Sequence, residues 1–224
     1  ELKEIHIFYS PTEDEVLLKL ITPTTFEKEK LRKIKENLLP QKVVGVGNYS
    51  LLGDRPIKRY HVGRDHTFVS VKEYRYRVSN DSFFQVNYTL WEELINLVEV
   101  LEGEYRKALE LHCGAGFFSF PLSKKVSFLV SSDTNPTAIK DAQYSSKLNQ
   151  IDNLVFYNEK GYETLRKHAD EPIDLLLLDP PRGGLSPQEL SLILQNKPRE
   201  VLYFSCNPTT LARDLSQLVK GGYH

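Results

Sequence analysis

The chain has 224 residues, 40% of them hydrophobic and 26% charged, enough to bury one sizeable domain or a small domain plus a larger one. Lysine and arginine total 29 against 30 aspartate and glutamate, a formal net charge of -1, which excludes a global basic field and leaves any nucleic-acid partner to a local patch. Two cysteines, Cys113 and Cys206, cannot build a four-ligand metal site or a secreted disulfide framework. With no apolar run of membrane-spanning length and no basic-then-apolar leader, we expect a monomer in a reducing cytoplasm with no membrane contact. No methionine occurs, not even at position 1, so we also expect a segment of a longer polypeptide or a sequence from which modified methionines are missing.

Residues 1–86 alternate β-like runs, EIHIFYS, EVLLKLIT, KVVGVGNYS and TFVSVKEYRYRVS, with one helix-like stretch, TTFEKEKLRKIKENLL. In that stretch Phe26, Leu31, Ile34 and Leu38 recur near a helical period. A small α+β domain is expected there. From Asn87 the texture changes. NYTLWEELINLVEVLE reads as a helix feeding a series of strands and helices, and the runs KALELHC, VSFLVSSD, NLVFYN, IDLLLLDP and EVLYFSC are too continuously apolar for a half-exposed sheet. Strands alternating with helices imply βαβ units and a mostly parallel sheet covered on both faces, over residues 87–224.

Ligands of such sheets bind beyond the carboxyl ends of the strands, which makes those ends the place to look for chemistry. The first run ends in HCGAGFFSFPL, where Gly114 and Gly116 allow a tight turn and close backbone approach to a ligand. Asp133 stands 21 positions after His112, a spacing suited to an acid that holds ribose hydroxyls, and suited equally to a cap for the helix of PTAIKDAQ. The third run ends at Asn158, able to bond an adenine or simply to close a loop. The fourth ends in DPPRGG, where Pro180 and Pro181 fix the backbone and hold Asp179 in place. The fifth ends in VLYFSCNPTTLARD, which puts Cys206 at a strand tip between Ser205 and Asn207. Those flanks are poor company for a core cysteine, whereas Cys113 is expected to pack beneath the glycine turn.

DPPRGG, followed after sixteen residues by VLYFSCNPTT, together with SFFQVN, ELHCGAG, DTNPTAI and RDL, resembles the RNA uracil-5 methyltransferase family. The resemblance covers nearly the whole chain. It implies a Rossmann-like methyltransferase domain, S-adenosylmethionine as methyl donor, and C5 of a uridine in tRNA or rRNA as acceptor. By the same resemblance Cys206 is the nucleophile. Gln85, His112, Gly114, Gly116, Asp133, Asn158 and Asp179 are expected to contact the cofactor, with Asp179 also near the uracil. A helix beginning just after Cys206 would favour its thiolate. His112 stands where relatives often carry an aromatic residue, so stacking or packing is expected of it rather than acid–base work, and Phe117 stands where they often carry Asn. Tyr203 and Phe204 alternate along a strand, so one of them faces the crevice.

The family's proton-removing Glu and the last two strands of its sheet are expected beyond His224. Neither its N-terminal barrel nor the iron–sulfur cluster of some relatives is expected in these residues, and no metal is. RNA contacts would come from RPIKRYHVGR and KEYRYR, where Arg and Lys interleave with Tyr. For KEYRYR a strand with one solvated face is at least as good a reading. Two further readings stay open: an amino-methyltransferase, although Arg182 stands where that class carries an aromatic residue, and a catalytically inactive RNA-binding module of the same fold.

Overall fold

The computed structural model describes residues 2–38 and 41–224, and the chain divides into two compact units, Glu1–Phe83 and Phe84–His224. In the first unit, β1 (Glu4–Ser10) and β2 (Glu15–Thr22) pair antiparallel. Helix α1 (Lys28–Asn37) then carries the chain over to β3 (Val43–Leu52), parallel to β2, and β4 (Arg55–Gly63) returns antiparallel beside β3. Leu31 of α1 packs into Leu18, Leu20, Val43 and Val46, with Phe26 and Ile34 at its margin. The helix is shorter than its pattern suggests: Thr24–Glu27 precede it, Leu38 is exposed, and Leu39, the last residue of the stretch, lies outside the described residues.

TFVSVKEYRYRVS is two strands, not one. Lys72 takes a left-handed φ of 53° and turns β5 (His66–Val71) back into β6 (Tyr74–Ser79). Alternation along β6 buries Tyr74, Tyr76 and Val78 while Arg75 faces solvent. Its tyrosines are therefore core, and KEYRYR follows the solvated-face reading. In β4, by contrast, Arg55, Lys58, Arg59 and Tyr60 are all exposed.

The second unit opens with a single 3-10 turn, Tyr88–Leu90, and α2 (Trp91–Glu99). Then come β7 (Tyr105–Leu111), α3 (Ser119–Ser123), β8 (Val126–Asp133), α4 (Pro136–Leu148), β9 (Leu154–Asn158), α5 (Gly161–Lys167), β10 (Leu175–Leu178), α6 (Pro187–Asn196), β11 (Glu200–Tyr203) and α7 (Pro208–Lys220). The five strands form one parallel sheet in the order β11-β10-β7-β8-β9. The expected α/β architecture is thus present. All four leucines of β10 are buried, each contributing roughly 1.5–3 kcal/mol, and Leu109, Leu111, Leu176, Leu178, Ile193 and Leu218 join strands to helices in the main core. Among the described residues no helix is long and apolar enough to cross a membrane.

Strand order locates the site. The chain runs outward from β7 to β8 and β9, then crosses to the other side of β7 to lay down β10 and β11. At such a reversal the loops after the two inner strands, here β7 and β10, diverge and leave a crevice at their carboxyl ends.

Candidate functional site

Register sets the candidate residues level with one another. Leu111 pairs with Leu178 on one side and Ser132 on the other, and Asp133 pairs with Asn158. One step beyond that line stand His112, Asp133 and Asp179. His112 takes a φ of +63°, a conformation that costs a non-glycine residue roughly 1–3 kcal/mol and persists only where its surroundings impose it. Gly114 (φ +54°) and Gly116 (φ +87°) continue the turn. A Cβ on Gly116 would sit 3.3 Å from both Ala142 Cβ and Phe120 Cζ, so this glycine supplies both the backbone angle and the close approach to α4.

Asp133 buttresses that turn. Its Oδ2 accepts from Gly114 N at 2.9 Å and its Oδ1 from Asn135 N at 2.8 Å, while Asn158 Nδ2 donates to its carbonyl at 2.9 Å. The cap of α4 is Asn135, which accepts from Thr137 N at 2.9 Å and Ala138 N at 3.3 Å. The capping alternative for Asp133 therefore fails, and its carboxylate keeps lone pairs for a ligand.

Asp179 lies half-buried at the tip of β10. Burial pushes its carboxyl up to about 6, Asp133 adds to that, and a hydrogen bond from Gln85 and the nearby His112 pull it back. Gln85 Nε2 donates to Asp179 Oδ2 at 2.8 Å, and Trp91 Nε1 holds the Gln85 carbonyl at 2.9 Å. Phe84 locks the segment by packing edge-on against Trp91 and Phe117, at 5.2 and 5.4 Å between ring centroids. Phe117 is thus buried aromatic packing, not a polar contact.

His112 departs from expectation. Its Nε2 lies 3.0 Å from Glu189 Oε1 without hydrogen-bond geometry, so the ring meets a carboxylate instead of stacking. Burial would raise Glu189, but His112 and Ser186 hold it below the ordinary range. Ser186 and Glu189 form a reciprocal capping box at the start of α6. One carboxylate therefore both starts a helix and faces the His112 ring.

Cys206 is exposed and Cys113 buried; burial pushes the Cys113 thiol well above its usual value. β11 pairs with β10 so that Tyr203 lies opposite Leu178, and Phe204 N donates to Leu178 O at 2.8 Å. Cys206 thus emerges beside the loop that begins at Asp179. Asn207 caps α7, accepting from Thr209 N at 3.1 Å, and its Nδ2 donates to Arg182 O at 3.0 Å. Thr210 Oγ1 donates to the same carbonyl at 3.2 Å. Tyr203 and Phe204 do alternate: the Tyr203 hydroxyl donates to Asp214 Oδ2 at 2.7 Å, and Phe204 stacks on Phe118 at 4.1 Å with 14° between the rings.

Four buried acids escaped the sequence reading, Glu110, Asp141, Glu189 and Asp214. Glu110 carried a signal, a charge enclosed by apolar residues in KALELHC, and Glu189 carried another, the Ser-x-x-Glu of SPQE. Asp214 carried none beyond the RDL block. Among the described residues no group of three or more His, Cys, Asp or Glu could hold a metal ion.

The sequence model of the tRNA (uracil-5-)-methyltransferase family matches residues 8–222. An RNA methyltransferase of Aquifex aeolicus, itself uncharacterized, is 50% identical over 223 residues, covering 100% of this chain and 52% of the relative. Another from Listeria monocytogenes serotype 4b is 33% identical over 219 residues, 95% of this chain and 45% of the relative. The chain thus spans about half the length of the curated relatives it matches. Among solved structures, Pyrococcus abyssi tRNA (uracil-54, C5)-methyltransferase in complex with S-adenosyl-L-homocysteine aligns with a TM-score of 0.75 at 23% identity, over 96% of this chain and 53% of that one. The tRNA m1G37 methyltransferase of M. jannaschii aligns with a TM-score of 0.60 at 15% identity, over 97% of this chain and 66% of that one. The fold is that of the methyltransferases, and a match running from Phe8 to Gly222 across both units makes this chain a member of the tRNA (uracil-5-)-methyltransferase family.

Proposed function

We propose that the chain is the catalytic segment of an S-adenosylmethionine-dependent RNA methyltransferase that modifies C5 of a uridine in tRNA or rRNA through a covalent bond between Cys206 and C6. The observation that carries this reading is the pairing of β10 with β11. It sets a half-buried carboxylate, Asp179, and an exposed free thiol, Cys206, on adjacent strand ends beside a glycine turn. The Pyrococcus abyssi protein, which by its name acts at C5 of uracil-54 in tRNA, was solved with S-adenosyl-L-homocysteine, the form that cofactor takes after giving up its methyl group.

The crevice residues suit such a cofactor. A side chain at Gly116 would crowd Ala142 and Phe120, so the turn packs closely against α4. Asp133 would hold ribose hydroxyls, the amide oxygen of Asn158 the adenine, and Gln85 with Asp179 the remainder. The cofactor supplies an electrophilic methyl group. Uracil C5 is a poor acceptor by itself, which is why a nucleophile is required. The Cys206 thiolate adds to C6, the C5–C6 electron pair moves onto the C4 carbonyl oxygen, and C5 becomes nucleophilic. Once C5 carries the methyl group, a base removes the C5 proton. The freed pair re-forms the double bond and expels Sγ as thiolate. The uridine reaches the thiol by leaving its stack, and the exposed Arg55, Lys58, Arg59 and Tyr60 of β4 offer phosphate and stacking contacts to the RNA.

The test uses the complete natural polypeptide with 5-fluorouridine-substituted tRNA and rRNA fragments and S-adenosylmethionine. Fluorine at C5 blocks the last deprotonation, so the parent should remain bonded to its substrate and Cys206→Ala should not. A parent that forms no adduct with any of these RNAs would overturn the reading.

A further inference from the structure

We propose that Asp214 and Arg213 of α7 form a clamp that fixes the loop after Asp179 relative to Cys206, and so act as positioning residues for the methyl transfer. The proposal rests on the reading of Cys206 as nucleophile. Asp214 is fully buried, and its acceptors point at the DPPRGG loop and the strand beside it. Oδ2 accepts from Leu185 N at 2.9 Å and from the Tyr203 hydroxyl at 2.7 Å, and Oδ1 accepts from Arg213 Nε at 2.8 Å. The guanidinium then donates to Gly183 O at 2.9 Å and Leu185 O at 3.3 Å.

Between these anchors Gly184 takes a φ of +74°, and a Cβ there would lie 2.5 Å from Asp214 Oδ2 and 2.6 Å from Arg213 Nη2. The loop is therefore shaped to sit on this pair. At its other end the Arg182 carbonyl is held by Asn207 and Thr210. The bonds to Arg182, Gly183 and Leu185 join the segment after β10 to the segment after β11, the two that carry Asp179 and Cys206, while those from Tyr203 and Arg213 brace Asp214 itself. Asp214's own hydrogen bonds go to Leu185, Tyr203 and Arg213.

A buried carboxylate bonded to arginine is a weak way to stabilise a fold, because desolvation offsets the attraction. What it supplies is one geometry. The proposed chemistry needs that geometry: sulfur must approach C6 from above the ring while C5 faces the methyl group, and a misplacement of about 1 Å can cost on the order of 100-fold in rate.

The clamp is tested in the complete natural polypeptide with Asp214→Asn, which keeps shape but turns an amide toward Arg213, and with Arg213→Ala, which leaves Asp214 in place. The readouts are kcat and KM for S-adenosylmethionine, the rate of covalent capture by 5-fluorouridine RNA, amide hydrogen exchange at Leu185, and Tm. Exchange at Leu185 should rise while that of Leu176 in β10 holds. Capture and kcat should fall by roughly 30- to 100-fold with KM for the cofactor within about two-fold. Arg213→Lys, which restores one donor, should recover part of the loss. Capture unchanged in both variants overturns the clamp, and so does a loss matched by an equal fall in folded protein or by a parallel rise in KM. A parent that captures no RNA overturns the reading of Cys206 and the proposal with it, whatever the exchange at Leu185 shows.

Discussion

Replacing Glu110 with Gln should make the second unit's stability less sensitive to pH, in a direction opposite to that of most acids. Glu110 is fully buried in β7. Its Oε2 accepts from Ser119 Oγ at 2.5 Å and Ser131 Oγ at 2.6 Å, while Oε1 has no hydrogen-bond partner. Burial pushes the carboxyl from 4.5 up to about 7 against the pull of the two serines, with Asp179 and Asp133 adding to the rise. Because the folded value lies above the unfolded one, the charged form disfavours folding. The penalty is absent below about pH 4.5, grows through the window between the two values, and is complete above about pH 7.

At about 1.36 kcal/mol per unit, the full penalty is about 3 kcal/mol, of which roughly 2–3 kcal/mol develops between pH 5 and pH 8. Glu110→Gln keeps a carbonyl for the two hydroxyls and does not titrate. Its amide leaves a donor unpaired at a cost of about 1–3 kcal/mol, but that cost is the same at both pH values and cancels from the comparison. Urea unfolding followed by Trp91, the single tryptophan and a member of the second unit, measures the difference directly. The variant should gain roughly 2–3 kcal/mol on the parent between pH 5 and pH 8. Parallel pH dependences, within about 0.5 kcal/mol, would refute the account of Glu110 as a buried, charge-penalised acid.

Cys206→Ala should abolish capture by 5-fluorouridine RNA while changing stability by less than about 0.5 kcal/mol, since Cys206 is exposed; a large fall in Tm would mean that the thiol is structural. Gln85→Ala removes the hydrogen bond that lowers Asp179, so its carboxyl should titrate at higher pH. The acidic limb of cofactor binding, read by calorimetry, should move upward, and a limb that stays in place or moves down contradicts the pairing. Gly116→Ala places a Cβ at a φ of +87° and should cost more than about 1 kcal/mol in urea unfolding. A neutral result would mean that the turn relaxes freely.

The parallel sheet was legible because its central strands are buried: β7 and β10 read as nearly unbroken apolar runs bounded by turn residues. The edge strand β4 was not. RPIKRYHVG shows no apolar alternation, and β4 is a strand through its backbone pairing with β3, which no side-chain pattern records. KEYRYR left two readings open for a related reason, since a tyrosine that packs and a tyrosine that stacks on a base look alike until the strand's buried face is known. At the site, residue types at strand tips marked Asp133, Asp179 and Cys206. Their partners were invisible: Gln85 meets Asp179 across 94 positions, and His112 reaches Glu189 only because a left-handed backbone turns its ring toward α6.

The acids in and beneath the crevice share one electrostatic problem. Asp179 and Glu110 are both raised by burial and further by Asp133, so negative charge is concentrated where little solvent screens it. A cation placed there relieves the repulsion, and on the reading proposed above S-adenosylmethionine brings two positive groups, its sulfonium and its ammonium. Its binding should therefore favour ionised Asp179 and release protons near pH 6, where that carboxyl titrates. S-adenosyl-L-homocysteine lacks the sulfonium and should release fewer. Calorimetry of both ligands in two buffers of different ionisation enthalpy reads the proton count directly. Equal release by the two, or proton uptake by either, would mean that the charge of the crevice is not what selects the methyl donor over its product.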